Sequence, residues 1–358
     1  MIIETITNSK FPESYSSLAL QSESTSIFFS QSWWDNFLQT VVPEEDTVIW
    51  YGCKSEQGTP LLLWPIWKQH TSFWRPMKLK GLSNYYTTLY EPVHTITDDK
   101  KLNQIIDTIV KTICQHHWDY LDLHSLNPRS RIYNFIIDAF KHQKKHVQPY
   151  FMYGNWILPT ENQTFSDYLA SRPKKIRKTI KLCNNRLKGQ DVKYQIYTQP
   201  NEIKNALDLF HKIYFLAWNK QEPYPRFIPG LVKEASQNNW LRLGIMYINN
   251  EAAAAQIWLT LHGTSYIYKV CRNPEFNSYS PGTLLTAFLM EQTIDIDQVQ
   301  KIDYLTGDDA YKKDWMSHRE ERWGLQVSNP YNFWGLIRAS KNLISHYLQQ
   351  AKKYNFHS

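Results

Sequence analysis

The chain has 358 residues, 42% hydrophobic and 20% charged, with a net charge of +7, enough for two domains with sizeable cores. No uninterrupted apolar run approaches a membrane span, which excludes a helical membrane protein, and no positive region followed by an apolar run marks a secretory leader at the N-terminus. Four cysteines (Cys53, Cys114, Cys183, Cys271) lie far apart with no paired spacing, so a reduced, cytoplasmic setting is expected rather than a disulfide framework or zinc site.

In chain order, the first residues are polar and Ser-rich. Ser30 is placed to cap a short amphipathic helix carrying Trp33, Trp34 and Phe37. Residues 47–51 and 60–67 read as strands around a Gln57-Gly58 turn, and 77–82 and 85–90 as shorter strands around Ser83-Asn84. Ile105, Ile109, Ile113 and Cys114 share one side of a predicted helix over 100–117, followed by a strand at 118–123 and a helix at 129–140. An antiparallel meander followed by alternating strands and helices is an α/β pattern.

The second half repeats that order. A strand ends at 156–158, and the basic segment 172–188 follows, with eight Lys or Arg and no acid. The rest of the chain therefore sums to −1, and the basic excess is one local feature. Ile176, Ile180, Cys183 and Leu187 give this segment the apolar stripe of an amphipathic helix. Its charges suit solvent, an anionic acceptor, an anionic membrane surface or tRNA, and the lack of interleaved aromatics argues against single-stranded nucleic acid. A helix over 200–218, a Pro-rich loop over 222–230, a short helix, and three strands between 241 and 270 come next, with turns at Asn249-Asn250 and His262-Gly263. Trp118-Asp-Tyr-Leu echoes Ile302-Asp-Tyr-Leu at matching places, suggesting an internal duplication. The expected division is 1–150, 151–330, and a polar helical tail over 331–358 packing back on the second domain.

The stretch 266–315 organises the second half. A strand rich in Tyr and Val ends before Asn273-Pro274, and Ser280-Pro281-Gly282 opens a helix. Ser280 can cap, Pro281 suits the first helical position, and Gly282 lets a ligand approach the backbone. Helix starts at strand ends favour anionic groups such as phosphate. The next strand, over 301–305, runs into Thr306-Gly307-Asp308-Asp309-Ala310-Tyr311-Lys312, bringing acids, a phenol and an amine to the same end.

Over roughly 165–315 the chain resembles the acetyltransferase domain of the cellulose-biosynthesis CelD-like proteins, in the GNAT superfamily and near the FemAB-like transferases. The basic helix from Arg172, Leu209-Phe-His-Lys with Trp218, Arg242-Leu-Gly, Ser280-Pro-Gly-Thr-Leu-Leu and Asp303-Tyr-Leu-Thr-Gly-Asp-Asp-Ala-Tyr-Lys312 carry the likeness. It implies tandem GNAT-like domains, each a mixed, mostly antiparallel sheet flanked by helices. It also implies an acyl-CoA donor, acetyl-CoA or another, with its pyrophosphate at the turn after the fourth strand and its pantetheine between two splayed parallel strands. Val270, Ser280, Gly282, Thr283 and Leu284 map there, although Asn277 to Gly282 keeps only the last glycine of the usual pattern. The acceptor implied is an amine, such as an amino sugar or a cell-surface polysaccharide precursor.

For the chemistry, acyl transfer needs a proton acceptor and donors near the developing oxyanion. Tyr311 can protonate a departing thiolate. Lys312, which aligns with the lysine of the FemAB-like Tyr-Lys motif, is expected to stabilise the tetrahedral intermediate, and Asp303 and Asp308 are equally eligible as base. Arg177 matches a recurrent arginine of the family helix and is the candidate for acceptor binding, with Trp34 and Tyr85, beside Trp33 and Tyr86, on an aromatic cleft of the first domain. His116-His117 has no third ligand at a sensible spacing, so no metal is expected. Two other readings remain open: a FemAB-like aminoacyl-tRNA-dependent peptidyl transferase, and a catalytically silent GNAT scaffold that binds a glycan or a synthase.

Overall fold

The computed structural model describes residues 1–355 except Phe73 and Asn162, with side chains described to residue 344. The chain divides into two units, 1–153 with 321–358, and 154–320. Unit 1 begins with β1 (Ile2–Thr7), α1 (Ser16–Ser22) and α2 (Gln31–Thr40). As expected, Ser30 caps α2, accepting from Trp33 N at 3.1 Å. Strands β2 (Thr47–Lys54) and β3 (Pro60–Lys68) form the hairpin, followed by β4 (Lys78–Gly81), β5 (Val93–His94), α3 (Asp99–Gln115), β6 (Tyr120–Leu126), α4 (Arg131–His142) and β7 (His146–Pro159), which leads into unit 2. Residues 85–90, expected as a strand, form none, because their polar groups turn back on themselves: Asn84 Oδ1 accepts from Tyr86 N at 2.9 Å.

Unit 2 contains α5 (Phe165–Ser171), α6 (Lys174–Arg186), β8 (Val192–Tyr197), α7 (Ile203–Trp218), α8 (Phe227–Gln237), β9 (Leu241–Ile248), β10 (Glu251–Leu261), β11 (Thr264–Arg272), α9 (Pro281–Glu291), β12 (Lys301–Thr306) and α10 (Lys312–Trp315). The turns at Asn249-Asn250 and His262-Gly263 form as expected, all four residues at positive φ. Part of the Pro-rich loop instead begins α8. Then β13 (His318–Ser328) returns the chain to unit 1, where α11 (Phe333–Asn355) ends it. Among the described residues no helix is long and apolar enough to cross a membrane.

The C-terminal helix does not join unit 2, as its place along the chain suggested. Strand β13 pairs antiparallel with β6, Val327 opposite Leu121, and delivers the helix to unit 1. There Asn332 Nδ2 donates to Trp118 O at 2.8 Å and Arg338 Nε to Gln326 Oε1 at 2.8 Å. The position of this helix is thus set by strand pairing.

Each unit has the same strand succession. In unit 1 the order is β1-β2-β3-β4-β6-β13, and in unit 2 it is β8-β9-β10-β11-β12-β7. In both, the fourth and fifth strands are parallel and the other neighbours antiparallel. Both fifth strands carry a left-handed residue at a register shift, Ser125 at φ 64° and Leu305 at φ 56°. Matching these residues makes Ile302 equivalent to Asp122, not to Trp118. The duplication is present in the architecture, but the four-residue sequence echo is not its register.

Unit 1 holds a carboxyl group under strain. Glu91 Oε1 is enclosed without a hydrogen-bond partner, while Oε2 accepts from Ser130 Oγ at 3.2 Å. Part of the side chain reaches the surface, but its carboxyl oxygen does not, and burial pushes its pKa up to about 7 against the pull of Ser130 and Arg322. An unfolded Glu titrates near ~4.3. Between these values the folded state holds a proton that the unfolded state releases. Stability from this group is therefore full below ~4.3 and falls until pH passes about 7. Relative to wild type, Glu91→Gln should gain up to about 3 kcal/mol between ~pH 4 and ~pH 8. Denaturant titrations at both values check this, and an equal difference at the two would remove Glu91 as the source.

Candidate functional site

The site begins where two strands part. Strand β11 pairs in parallel with β12 only from Thr264/Lys301 to Tyr266/Asp303, then continues to Arg272. β12 turns away because Leu305 adopts a left-handed conformation, held by Asp303 Oδ1, which accepts from Leu305 N at 2.8 Å. Asn155 Nδ2 fixes the same oxygen at 2.7 Å. Between the splayed strands lies a cavity of about 580 Å³. Val270, Cys271 and Arg272 line it from β11, and Ser280, Gly282, Thr283 and Thr286 from the start of α9. Tyr304, Tyr311 and Trp315 complete it on one side, Trp218 on another.

Gln256 locks the helix start to the sheet. Its buried amide donates through Nε2 to Gly282 O at 3.1 Å and Thr286 Oγ1 at 2.9 Å, while Oε1 accepts from Trp258 Nε1 at 2.8 Å. Ser280 does not cap with its side chain as expected. It sits at φ 48°, ψ 52°, outside the extended region a capping side chain needs. Its carbonyl instead accepts from Thr283 N and Leu284 N at 3.0 and 3.2 Å. A Cβ at Gly282 would meet only Arg272 Cδ and Cβ, at 3.8 and 3.9 Å, so the glycine leaves space rather than relieving a clash. Arg272 donates through Nε to Asn277 Oδ1 at 2.8 Å. A guanidinium thus stands beside an open helix start, two features that favour an anion.

The phenols form a pair. The Tyr304 and Tyr311 rings meet edge-on at 5.7 Å, close enough for each hydroxyl to act on the other's ionisation. Burial pushes both groups up, Tyr304 well above the ordinary phenol value, with the charge of Asp309 adding to the rise at Tyr311. Both are therefore protonated at neutral pH. Tyr311 can give a proton to a leaving group while Tyr304 supports the resulting phenolate.

The other sequence candidates lie away from this wall. Lys312 is buried, and its ammonium donates to Tyr304 O at 3.3 Å and to Thr306 O, with Asp309 at 3.6 Å. Burial lowers its pKa, opposed by the neighbouring acids. Asp303 is occupied by Asn155 and Leu305 N. Asp308 binds Arg319 at 2.6 and 2.7 Å and Trp156 Nε1 at 3.2 Å. The Arg319 hydrogen bonds hold its carboxyl below the usual carboxylate range, despite some desolvation. Neither acid nor the lysine lines the cavity. Of the five donor-site candidates, Val270, Ser280, Gly282 and Thr283 line it, whereas Leu284 turns into the core.

Arg177 is exposed on α6, its Nε donating to Arg172 O at 3.2 Å. Trp34 lines no cleft, and that expectation is corrected: it is 3% exposed, stacked on Phe11 at 5.4 Å and edge-on to Trp50. Apolar burial outweighs any surface role for an indole on the inner face of α2. Tyr85 is exposed, its ring 4.2 Å from that of Tyr86. Reading the sequence missed Gln256, Arg272, Thr286 and Tyr304. Only Arg272 had a local signal, a cation at a strand end just before the phosphate-type turn.

Unit 1 has no matching helix start. Asp98 caps α3 and Asp99 follows it, two acids where an anion would approach. Tyr90 packs over Gly81, where a Cβ would come within 2.6 Å of its ring, and its backbone N–H donates to Ser125 O at 3.1 Å.

A parallel pair splayed around a helix start, on a mostly antiparallel sheet, places unit 2 in the GNAT fold class, and the repeated strand order makes the chain a tandem GNAT-like α/β protein. Residues 174–313 match the family described as acetyltransferase (GNAT) domain. No curated protein matches the sequence. Among solved structures the chain is similar to FemX, at 10% identity over 80% of this chain and 90% of that one, TM-score 0.57. It is similar to L-PGS from Bacillus licheniformis, at 10% identity over 84% and 88%, TM-score 0.52. A tandem GNAT protein from the clavulanic acid biosynthesis pathway aligns at 11% identity over 91% and 98%, TM-score 0.51. At such identities these likenesses concern the fold.

Proposed function

We infer that the chain is an N-acyltransferase that moves an acyl group from acyl-CoA to an amine in the unit 2 cavity. The observation that carries this reading is the cavity itself: an open helix start beside Arg272 at one part of its lining and the Tyr311 hydroxyl at another. Arg272 and the N-terminal turn of α9 would hold the pyrophosphate. The thioester would lie along β11, whose edge beyond Tyr266 has no partner in β12. The amine attacks the thioester carbon, the C–S bond breaks, and Tyr311 protonates the departing thiolate. No carboxylate is among the lining residues, so the amine proton leaves to solvent, and Asp303, Asp308 and Lys312 serve by holding the bend that presents Tyr304 and Tyr311. The acidic helix start of unit 1 favours unit 2 as the donor's place. An amino sugar or polysaccharide precursor as acceptor rests on the CelD-like resemblance.

A second reading, transfer from aminoacyl-tRNA, is favoured by the basic helix α6 and the FemAB-like resemblance of the sequence. Calorimetric titration of acetyl-CoA, a long-chain acyl-CoA and aminoacyl-tRNA into the protein separates them. Saturable acyl-CoA binding is expected, and Tyr311→Phe should keep it while slowing transfer to a reactive amine by about 10²-fold. Binding of aminoacyl-tRNA alone would favour the second reading, and binding of none would leave a scaffold.

A further inference from the structure

Helix α6 runs beside the donor cavity. Near its start, the Lys175 ammonium lies 3.8 Å from Asp314, the residue before cavity-lining Trp315. At its end, Arg186 Nη1 donates to Ser278 O at 2.8 Å, on the turn that brings Asn277 and Ser280 to the cavity. Between these anchors Ile176 and Cys183 are buried, which leaves Lys174, Arg177, Lys178 and Lys181 exposed. The helix, about 20 Å long, contains no acid.

An apolar patch meets the same cavity from another element. Helix α7 ends there, with Trp218 in the lining. Trp218 is 57% exposed, Phe215 50% and Leu216 46%, and Leu182, among the basic residues of α6, is 44% exposed. Phe215 and Trp218 are one turn apart and form a single patch. Lys212 and Lys220 flank it, both exposed. The nearby acids are mostly paired, Glu222 with Lys269 at 2.6 Å, Asp309 with Lys312 at 3.6 Å and Asp314 with Lys175 at 3.8 Å, leaving Asp208 on α7 and Glu275 on the turn before α9. Large apolar side chains clustered in water mark an interaction site.

We propose that this cavity mouth is a lipid-docking surface whose partner is an anionic bilayer. Phe215, Leu216 and Trp218 enter the boundary between head groups and acyl chains, while Lys212 and Lys220 beside them and the lysines of α6 meet the head-group charge. RNA would match the charge of α6 and could stack bases on Phe215 and Trp218, but the exposed Leu216 and Leu182 offer no stacking face and suit acyl chains. The docking does not depend on the identity of the donor. With acyl-CoA as donor, it presents the cavity to an amine carried at a membrane surface.

Co-sedimentation of the full chain with phosphatidylcholine vesicles, with and without about 30% phosphatidylglycerol, tests the proposal. Binding is expected only with the anionic lipid, and should weaken as salt rises from about 0.1 M to about 0.5 M. Phe215→Ser with Leu216→Ser, and separately Lys178→Glu with Lys181→Glu, should each lower the partition coefficient at least about tenfold. Unchanged acyl-CoA or tRNA binding and an unchanged melting temperature in the Phe215/Leu216 variant would show that the loss is not misfolding. Equal binding to both vesicle types, or binding that survives both pairs of substitutions, would overturn the proposal. So would binding to unfractionated tRNA but to neither vesicle, lost with the lysines and kept without Phe215 and Leu216.

Discussion

Gly282→Glu should weaken acyl-CoA binding on the order of 100-fold while leaving the fold intact. The backbone at Gly282 is not left-handed, and a Cβ there meets only Arg272 at ordinary contact distance, so a longer side chain has room to project into the cavity. Its carboxylate would stand at the helix start, where the dipole favours a negative group, and within reach of Arg272. It would therefore both repel the pyrophosphate and occupy its cation. A loss of affinity on the order of 100-fold, ~3 kcal/mol, is expected by titration. Gly282→Ala, which adds only the tolerated Cβ, should bind nearly as wild type. Undiminished binding to the Glu variant would move the donor away from α9 and remove the main support for the proposed reaction.

Gly335→Ala should act on the other unit. A Cβ at Gly335 would overlap the Asn329 carbonyl oxygen and lie 2.7 Å from Asp119 O. Both are backbone atoms at the ends of paired strands, fixed by other bonds: Asn329 N donates to Asp119 O at 2.9 Å, and Lys145 Nζ to Asn329 Oδ1 at 2.9 Å. Neither can swing aside as a flexible side chain would. The first turn of α11 should be pushed off, together with its bonds to Trp118 O and Gln326, at a cost of about 3 kcal/mol. A lower melting temperature and faster proteolysis between 329 and 344 are the expected signs, with acyl-CoA titration unchanged because none of these contacts lies in unit 2. A variant that melts with wild type and resists protease would show that the helix start is not held as described.

By itself, the sequence determined most elements and the helix start that lines the unit 2 cavity. Periodicity was enough for α3, α6 and the three strands β9 to β11, because each buries one face and local pattern records that face. Turns at Asn249-Asn250 and His262-Gly263 were legible because few residues adopt positive φ. The Ser280-Pro281-Gly282 segment announced a helix start, and its glycine and neighbours do line the cavity. Strands β1, β8 and β13 were not legible, since each owes its state to pairing with a distant partner and not to a local pattern.

Tertiary structure alone decided which polar residues face the cavity. Asp303, Asp308 and Lys312 looked chemical because acids and an amine cluster after a strand. Folding gives each of them protein partners, through the left-handed turn at Leu305 and through Arg319, which follows β12 by a dozen residues or more. Gln256, from a neighbouring strand, and Tyr304, at the bend itself, take the places at the lining. The sequence also could not show that β13 returns to β6 and carries the last helix with it. Chain order records neighbours along the backbone, whereas a hydrogen-bonded sheet joins whichever strand edges meet in space, and that choice fixes where the site and the tail lie.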